Sequence, residues 1–385
     1  MKSSIRGVFM KAFYKQDLDT PCLIIDLDLM ESNISKMADF YSKTNIKLRP
    51  HMKTHKTPII TQMQIDAGAI GVTCQKLGEA EVFAQAGIKN ILISNQIANK
   101  EKIFRLVGLS TWADVTVGID DIQNAKDIAE AAVSGETTIK VAIEIDGGRC
   151  GVAPGEPALE LAEQILKLNG LEFMGIWCHQ AARLPSGITL PSITNWQERK
   201  NIYSKRIEPF LETKDLLKKH GIPVNMCSAG YTAVYDIVTE YPEITDVQAG
   251  SYVFMDWPYQ SLEGLERFDI ALSVLSTVIS NPPHKLNNAY LDCGIKSISQ
   301  EHSGDYTRIV YPKIKGELGE TIKISGLSEE HASLEGKVNR LKVGQKVELL
   351  PAHCCTVTNL YDRYYCVRGE KVVGIWPILA RGRAD

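Results

Sequence analysis

The stretch Ile-Lys-Val-Ala-Ile-Glu-Ile (139–145), Asp-Gly-Gly-Arg-Cys-Gly (146–151) and Ala-Leu-Glu-Leu-Ala-Glu-Gln-Ile-Leu-Lys-Leu-Asn-Gly (158–170) carries one whole unit of the fold. Its first part is a short apolar run rich in β-branched residues and closed by turn residues, the pattern of a strand buried on both faces. Its last part repeats apolar residues every three to four positions and stops at Gly170, the pattern of a helix closed by a glycine. The spacing therefore predicts a strand, a loop and a covering helix.

The same unit recurs from about residue 45 to 255. Strands are predicted at Asn45–His51, Ala69–Cys74, Asn90–Ser94, Asp114–Val117, Ile139–Ile145, Leu171–His179, Pro223–Ser228 and Asp246–Gly250. Helical patterns include Leu77–Gly87, Asp120–Gly135, Ala158–Gly170 and a long one from Trp196 to Gly221. Eight strands alternating with helices over about 210 residues match a (β/α)8 barrel, an α/β fold. A doubly wound sheet would need a Gly-rich dinucleotide turn after an early strand, and the sequence has none. After residue 260 the helical period fades and strand-like runs follow: Ile270–Ile279, Asn288–Leu291, Lys346–Leu350, Tyr364–Val367 and Val372–Trp376. These, with the early strand Cys22–Leu27, form a second, mostly β domain. The expected division is a barrel over 28–260 and a β domain built from 1–27 plus 261–385.

With 385 residues, the chain is too long for one ordinary core. Apolar residues make up 44%, charged residues 23%, and the net charge is −3, with basic residues dispersed. This argues against a nucleic-acid partner. No apolar stretch nears the roughly 20 residues that span a bilayer. Lys11 and Lys15 interrupt the apolar part of Met1–Gln16, so no signal peptide is expected there. Nine cysteines, an odd number without framework spacing, fit a reducing, cytoplasmic location.

Function in such a barrel gathers where the strands end. Strand one ends in Arg49-Pro50-His51-Met52-Lys53-Thr54-His55-Lys56, which puts Lys53 at the mouth. A lysine held there in apolar surroundings is a nucleophile toward an aldehyde. A basic surface loop is the plain alternative, and His51 with His55 also has the look of a metal pair. Strand seven ends in Ser228-Ala229-Gly230-Tyr231-Thr232 and strand eight in Gly250-Ser251-Tyr252. Loops in those two places are the usual phosphate site of the fold, because small residues let backbone N–H groups approach. A Schiff-base lysine facing a phosphate cradle describes pyridoxal 5'-phosphate (PLP). Arg149, after strand five, offers a cation to the cofactor ring, or else a protein salt bridge. His179, after strand six, offers a stacking face or a proton relay, or else a satisfied core histidine.

In the β domain, Leu350-Pro351-Ala352-His353-Cys354-Cys355-Thr356 reads as a strand. Alternation then places His353 and Cys355 on one face and Cys354 on the other. Imidazole plus thiolate is a divalent-metal pair, with zinc preferred over manganese or magnesium, and two protein ligands leave room for substrate.

These segments together resemble the D-threonine aldolase and D-serine dehydratase group, fold-type III PLP enzymes related to alanine racemase. The resemblance runs over about residues 18–384. It rests on Asp19-Thr20-Pro21, the Arg49–Lys56 motif, Gly71-Val72-Thr73-Cys74-Gln75, Gly78-Glu79-Ala80-Glu81, Gly148-Arg149-Cys150-Gly151, and Gln248 to Tyr252 through Asp256. Glu330-His331, Pro351 to Cys355 and Ala380-Arg381-Gly382 complete it. The resemblance implies that Lys53 carries PLP, that Gln75 joins the cofactor contacts, that His353 and Cys355 bind the metal, and that the protein is a homodimer with its active site at the subunit interface. It implies a lyase acting on β-hydroxy D-amino acids. Removal of the Cα proton by Lys53, with the metal on the departing hydroxide, gives dehydration, whereas removal of the hydroxyl proton gives retro-aldol cleavage.

D-serine dehydratase-like activity is the preferred expectation. The pair His353/Cys355 resembles the dehydratases, while many of the aldolases carry aspartate in place of the cysteine. Gln180-Ala181-Ala182-Arg183 lacks the histidine that the aldolases tend to carry there. Against this, Thr358-Asn359-Leu360 resembles bacterial aldolases, and Trp177 stands where dehydratases tend to have tyrosine. D-threonine aldolase and a 3-hydroxy-D-aspartate lyase are the alternatives. A non-catalytic PLP-binding homeostasis protein and an amino-acid racemase are the readings from other classes.

Overall fold

The computed structural model describes residues 13–179, 193–285, 287–302 and 308–385. The stretch 180–183 that entered the aldolase comparison lies outside them.

Eight parallel strands form the barrel: Lys47–Leu48, Val72–Cys74, Asn90–Ile93, Asp114–Ile119, Ile139–Glu144, Leu171–Trp177, Met226–Ser228 and Asp246–Val247. Neighbours in sequence are neighbours in space, and strand eight returns to strand one at Lys47↔Asp246 and Leu48↔Val247. The circuit closes between strands one and two through the bridge His51↔Thr73 and the bond from Thr73 N to Pro50 O, 2.9 Å. The ladders are shorter than the apolar runs. Strand one is regular only to Leu48, but Arg49 N and His51 N still donate to Val247 O at 2.9 Å and Ala249 O at 3.2 Å before Met52–Thr54 turns as a 3-10 helix.

The quoted unit folds as read, with strand Ile139–Glu144 and helix Glu156–Ile165. The other expected helices occupy Leu77–Gln85, Ile122–Ser134 and Trp196–Lys219. Among the described residues, Pro58–Asp66 and Lys100–Ser110 add two covering helices that the periodicity reading did not name.

The β domain is built on a nine-stranded sheet, beside which Glu301–His302 and Ile309–Val310 form a separate two-stranded pair. Cys22–Asp26 lies at its centre, antiparallel to Leu272–Ser280 and parallel to Arg363–Arg368, with Lys371–Pro377 on the edge. From Cys22–Asp26 the chain passes directly into helix Leu27–Tyr41, whose first turn is capped by Asp26 accepting from Leu29 N at 3.2 Å. Strands Ile322–Leu327 and Ala332–Gly336 belong to the same sheet and were not expected. One hydrophobic core runs without a break from barrel to β domain, joining Met52, Phe254, Val274, Leu349 and Tyr364. The seam is also hydrogen-bonded. Tyr364 OH donates to His55 O at 2.7 Å, and Ala380 N donates to Lys56 O at 3.0 Å.

One expectation is overturned. The strand Lys346–Leu350 stops at Leu350, and Cys354–Thr358 is a short helix with His353 at its N-cap. Pro351 cannot extend the ladder, and the buried Asp256 carboxylate accepts the Cys354 N–H at 3.2 Å, satisfying a donor that a helix start leaves open. His353, Cys354 and Cys355 therefore share one helical turn instead of alternating across a strand.

Candidate active site

A cavity of about 210 Å³ opens at the C-terminal ends of the barrel strands. Of the residues singled out from sequence, Lys53, Gln75, Arg149, His179, Tyr231, Thr232, Gly250, Ser251 and His353 line it. Ser228 and Tyr252 sit behind its wall. Ser228 is fully buried, with Oγ donating to Asp246 Oδ2 at 2.6 Å, and Tyr252 OH accepts from Gln64 Nε2 at 2.8 Å. Gly230, at φ +86°, shapes the loop between Ser228 and Tyr231 without lining the cavity.

The structure adds His51, Thr54, Ser94, Trp177, Gln248 and Tyr259 to the walls. A polar layer lies behind Gln248. Gln248 Nε2 donates to Ser228 Oγ at 3.0 Å, and Arg49 pairs with Asp246 at 3.1 Å and reaches Asn90 Oδ1 at 2.6 Å. The alternation that marks strand eight already puts Gln248 and Gly250 on one face, so Gln248 was within reach of a sequence reading.

His51 buttresses the lysine. Gln75 Nε2 donates to Ser94 O at 3.1 Å, which turns Gln75 Oε1 toward His51 Nε2 at 3.3 Å. His51 Nδ1 then accepts the Lys53 backbone N–H at 3.4 Å. Burial, assisted by the Lys53 charge, holds this imidazole neutral, well below its ordinary pKa. His51 and His55 are therefore no metal pair: His55 is buried against Gln64 Oε1, 3.1 Å away, and burial pushes it down to about 4. His179 lies edge-on to Tyr231, ring centroids 5.3 Å apart, and burial with Lys53 and Arg149 pushes it down to about 3. It meets the cavity as a neutral imidazole. Glu144, just behind Arg149, accepts from Gln96 Nε2 at 2.5 Å, and burial pushes it up to about 7.

The ligating atoms of His353, Cys354 and Cys355 all lie within 4.8 Å of one another. Asp256, with no exposed surface, accepts from His353 Nδ1 at 2.9 Å. This fixes the ring and leaves Nε2 for a ligand. Tyr259 stacks on the same ring at 6.2 Å, interplanar angle 23°. The Cys355 thiol is held well below its ordinary pKa by a hydrogen bond from Cys354 and by His353, with Lys53 contributing. A thiolate facing an imidazole is the donor set of a soft divalent ion. Cys355 Sγ stands 3.3 Å from Thr54 Oγ1, so the residue beside Lys53 touches the candidate metal ligand within one chain. Asp256 was quoted from sequence without a role, because nothing local tells that its partner lies 97 residues away.

All nine cysteines are free thiols. No helix among the described residues is long and apolar enough to cross a membrane.

Residues 25–258 match the alanine racemase N-terminal domain family, and residues 271–367 match the putative serine dehydratase domain. The chain is 35% identical to a 3-hydroxy-D-aspartate aldolase of Paracoccus denitrificans, over 96% of this chain and 94% of that protein. It superposes on D-threonine aldolase from Filomicrobium marinum with a TM-score of 0.90 at 31% identity, covering 97% and 98% of the two chains. It also superposes on D-threo-3-hydroxyaspartate dehydratase from a Delftia species, TM-score 0.82 at 25% identity, covering 95% and 99%; a cysteine-to-alanine variant of that enzyme is known in a metal-free form. The chain belongs to the fold-type III family of D-threonine aldolase and D-serine dehydratase, PLP-dependent lyases of D-amino acids built on an alanine racemase-like barrel.

Proposed function

We propose that this chain is a retro-aldol lyase of β-hydroxy D-amino acids that carries PLP on Lys53 and a divalent metal, zinc by ligand chemistry, on His353 and Cys355. The observation that carries the reading is the 3.3 Å approach of Cys355 Sγ to Thr54 Oγ1, a residue that lines the same cavity as Lys53 and His353. The cavity fits the cofactor. Trp177 and Tyr231 are among its lining residues, and the buried Nε1 of the one and OH of the other have no partner among the described residues. The donor set of His353 and Cys355 fits the metal.

PLP held on Lys53 would supply an electron sink, and a divalent metal held by His353 and Cys355 would supply a Lewis acid. The chain's own residues do the rest. His51, its tautomer fixed by Gln75 and Lys53 N, holds the lysine loop in place. Arg149 offers positive charge to the ring, and the loops at Tyr231–Thr232 and Gly250–Ser251 offer backbone and hydroxyl donors to the phosphate. His179, which lines the cavity beside Lys53, would be the group that accepts the hydroxyl proton whose removal starts retro-aldol cleavage.

Similarity to two aldolases favours retro-aldol cleavage over the dehydration expected from the sequence. Dehydration remains the second reading, favoured by the His353/Cys355 pair and by similarity to the Delftia dehydratase. The reading includes the division at 28–260 against 1–27 plus 261–385, a homodimer and a cytoplasmic location.

D-threonine, D-3-hydroxyaspartate and D-serine, each with and without a chelator, test it. Glycine plus an aldehyde, abolished by the chelator, is expected. Ammonia with a keto acid means the dehydratase, and turnover indifferent to chelation removes the metal from the mechanism.

A further inference from the structure

Lys56 stands three residues beyond Lys53 at φ +51°, a left-handed conformation that residues with a side chain rarely adopt. It is 9% exposed and ion-paired with Glu79, which is 1% exposed. Neither residue lines the cavity. A buried pair adds little net stability, because desolvating two charges offsets their attraction. Backbone strain and a buried charge at one residue point instead to a geometric role.

Glu79 binds two segments at once. Its Oε1 takes the Lys56 ammonium, and its Oε2 accepts the N–H groups of Gln75 at 2.8 Å and Lys76 at 3.1 Å. Lys56 N donates to Met52 O at 2.9 Å, which closes the turn around Lys53. The pair therefore fastens the lysine turn to the end of barrel strand two. Gln75, held by the same carboxylate, meets His51 Nε2 at 3.3 Å, and His51 Nδ1 accepts the Lys53 N–H at 3.4 Å. Two routes thus run from Glu79 to the turn that carries Lys53, one ionic and one through Gln75 and His51.

We infer that the Lys56–Glu79 pair is a positioning device that sets the reach of the Lys53 amine into the cavity, and so how readily that amine takes an aldehyde. In that step the amine attacks the aldehyde carbon, a C=N bond forms, and the carbonyl oxygen leaves as water. The pair acts on the amine through the turn. Loosening it should handicap ligands that bond to Lys53 and spare those that only fill the cavity. A general softening of the core would weaken both kinds alike. The inference rests on the PLP reading above.

The test compares PLP with pyridoxine 5'-phosphate, which has an alcohol in place of the aldehyde. Both are titrated into the apoprotein, as wild type and as Lys56→Met/Glu79→Gln. Glutamine keeps a carbonyl for the Gln75 and Lys76 N–H groups, and methionine removes the charge that would otherwise be stranded. The Kd for PLP is expected to rise roughly 10-fold, as for a slightly displaced reacting group, while that for pyridoxine 5'-phosphate stays within about 2-fold. An equal rise for both ligands overturns the inference, because the pair then serves only the core. An unchanged Kd for PLP also overturns it. If wild type binds neither ligand, or both equally, the cofactor-lysine reading fails instead. If the double variant does not fold, Lys56→Arg keeps the charge paired but changes the length of the tether. The same split between ligands is expected there, and its absence overturns the inference.

Discussion

Asp256 Oδ2 accepts from His353 Nδ1 at 2.9 Å while also taking the Cys354 N–H at 3.2 Å, so one carboxylate both aims the imidazole and caps the helix that carries the thiol. Removing it frees both candidate ligands. Asp256→Ala is expected to lower zinc affinity roughly 10- to 100-fold, read by competition with a chromophoric chelator on the purified protein. An unchanged affinity would mean that the helix turn alone presents His353.

In the proposed site, the Cys355 sulfur is the donor that would set the preferred ion. Cys355→Ala is expected to abolish metal retention. Cys355→Asp, a hard oxygen donor, is expected to keep a site but shift preference from zinc toward manganese or magnesium. Metal content after dialysis against an equimolar mixture measures both. Retention of zinc by the alanine variant would move the ligand role to Cys354.

Buried titrating groups set opposite slopes for the stability of the apoprotein. His51, His55 and His179 have depressed pKa values, so below 6.5 the unfolded chain binds more protons than the folded one, and stability is lost as pH falls. For the fully buried His55 the shift to about 4 is worth about 3 kcal/mol. Glu144 runs the other way. Raised to about 7, it stays protonated when folded while the unfolded carboxyl ionises, so stability falls between about 4.5 and 7, again by about 3 kcal/mol. Urea unfolding from pH 4 to 8 should show Glu144→Gln gaining stability over wild type as pH rises through that window. A difference that does not change with pH would show that Glu144 is ionised in the folded state.

Gly175 sits at φ +139° where strand six shifts register against strand five, and a Cβ there would lie 2.1 Å from Met226 O. The contact is with backbone and cannot rotate away. Gly175→Ala is expected to cost more than about 3 kcal/mol, read as a drop in thermal midpoint. A midpoint within two degrees of wild type would require the strand to relax without loss of the barrel.

The barrel was legible because its information is local. Each strand and helix announces itself by period, and Lys53 follows from where strand one stops. That the lysine loop, His179, Arg149 and the loops after strands seven and eight gather at the barrel mouth followed for the same reason. The helix at Cys354–Thr358 was not legible, because its first N–H is satisfied by Asp256, a partner no local pattern reveals. Ser228 and Tyr252 were read as cofactor contacts because small and aromatic residues at strand ends look alike, whichever way their side chains turn. Whether such a residue faces the mouth or Asp246 and Gln64 is decided by packing between strands far apart in sequence.

Tyr364 and Ala380 tie the β domain to the carbonyls of His55 and Lys56, two and three residues beyond Lys53, the proposed cofactor lysine. That stitching makes the β domain poor material for modular exchange. Transplanted from a relative onto this barrel, it would bring its own metal ligands but a seam fitted to another lysine loop. Chimeras that carry residues 51–57 with the incoming domain would keep the register between metal and lysine, and those that leave the loop behind would lose it. Descent in this family would then pass the two domains on together, as a single heritable block.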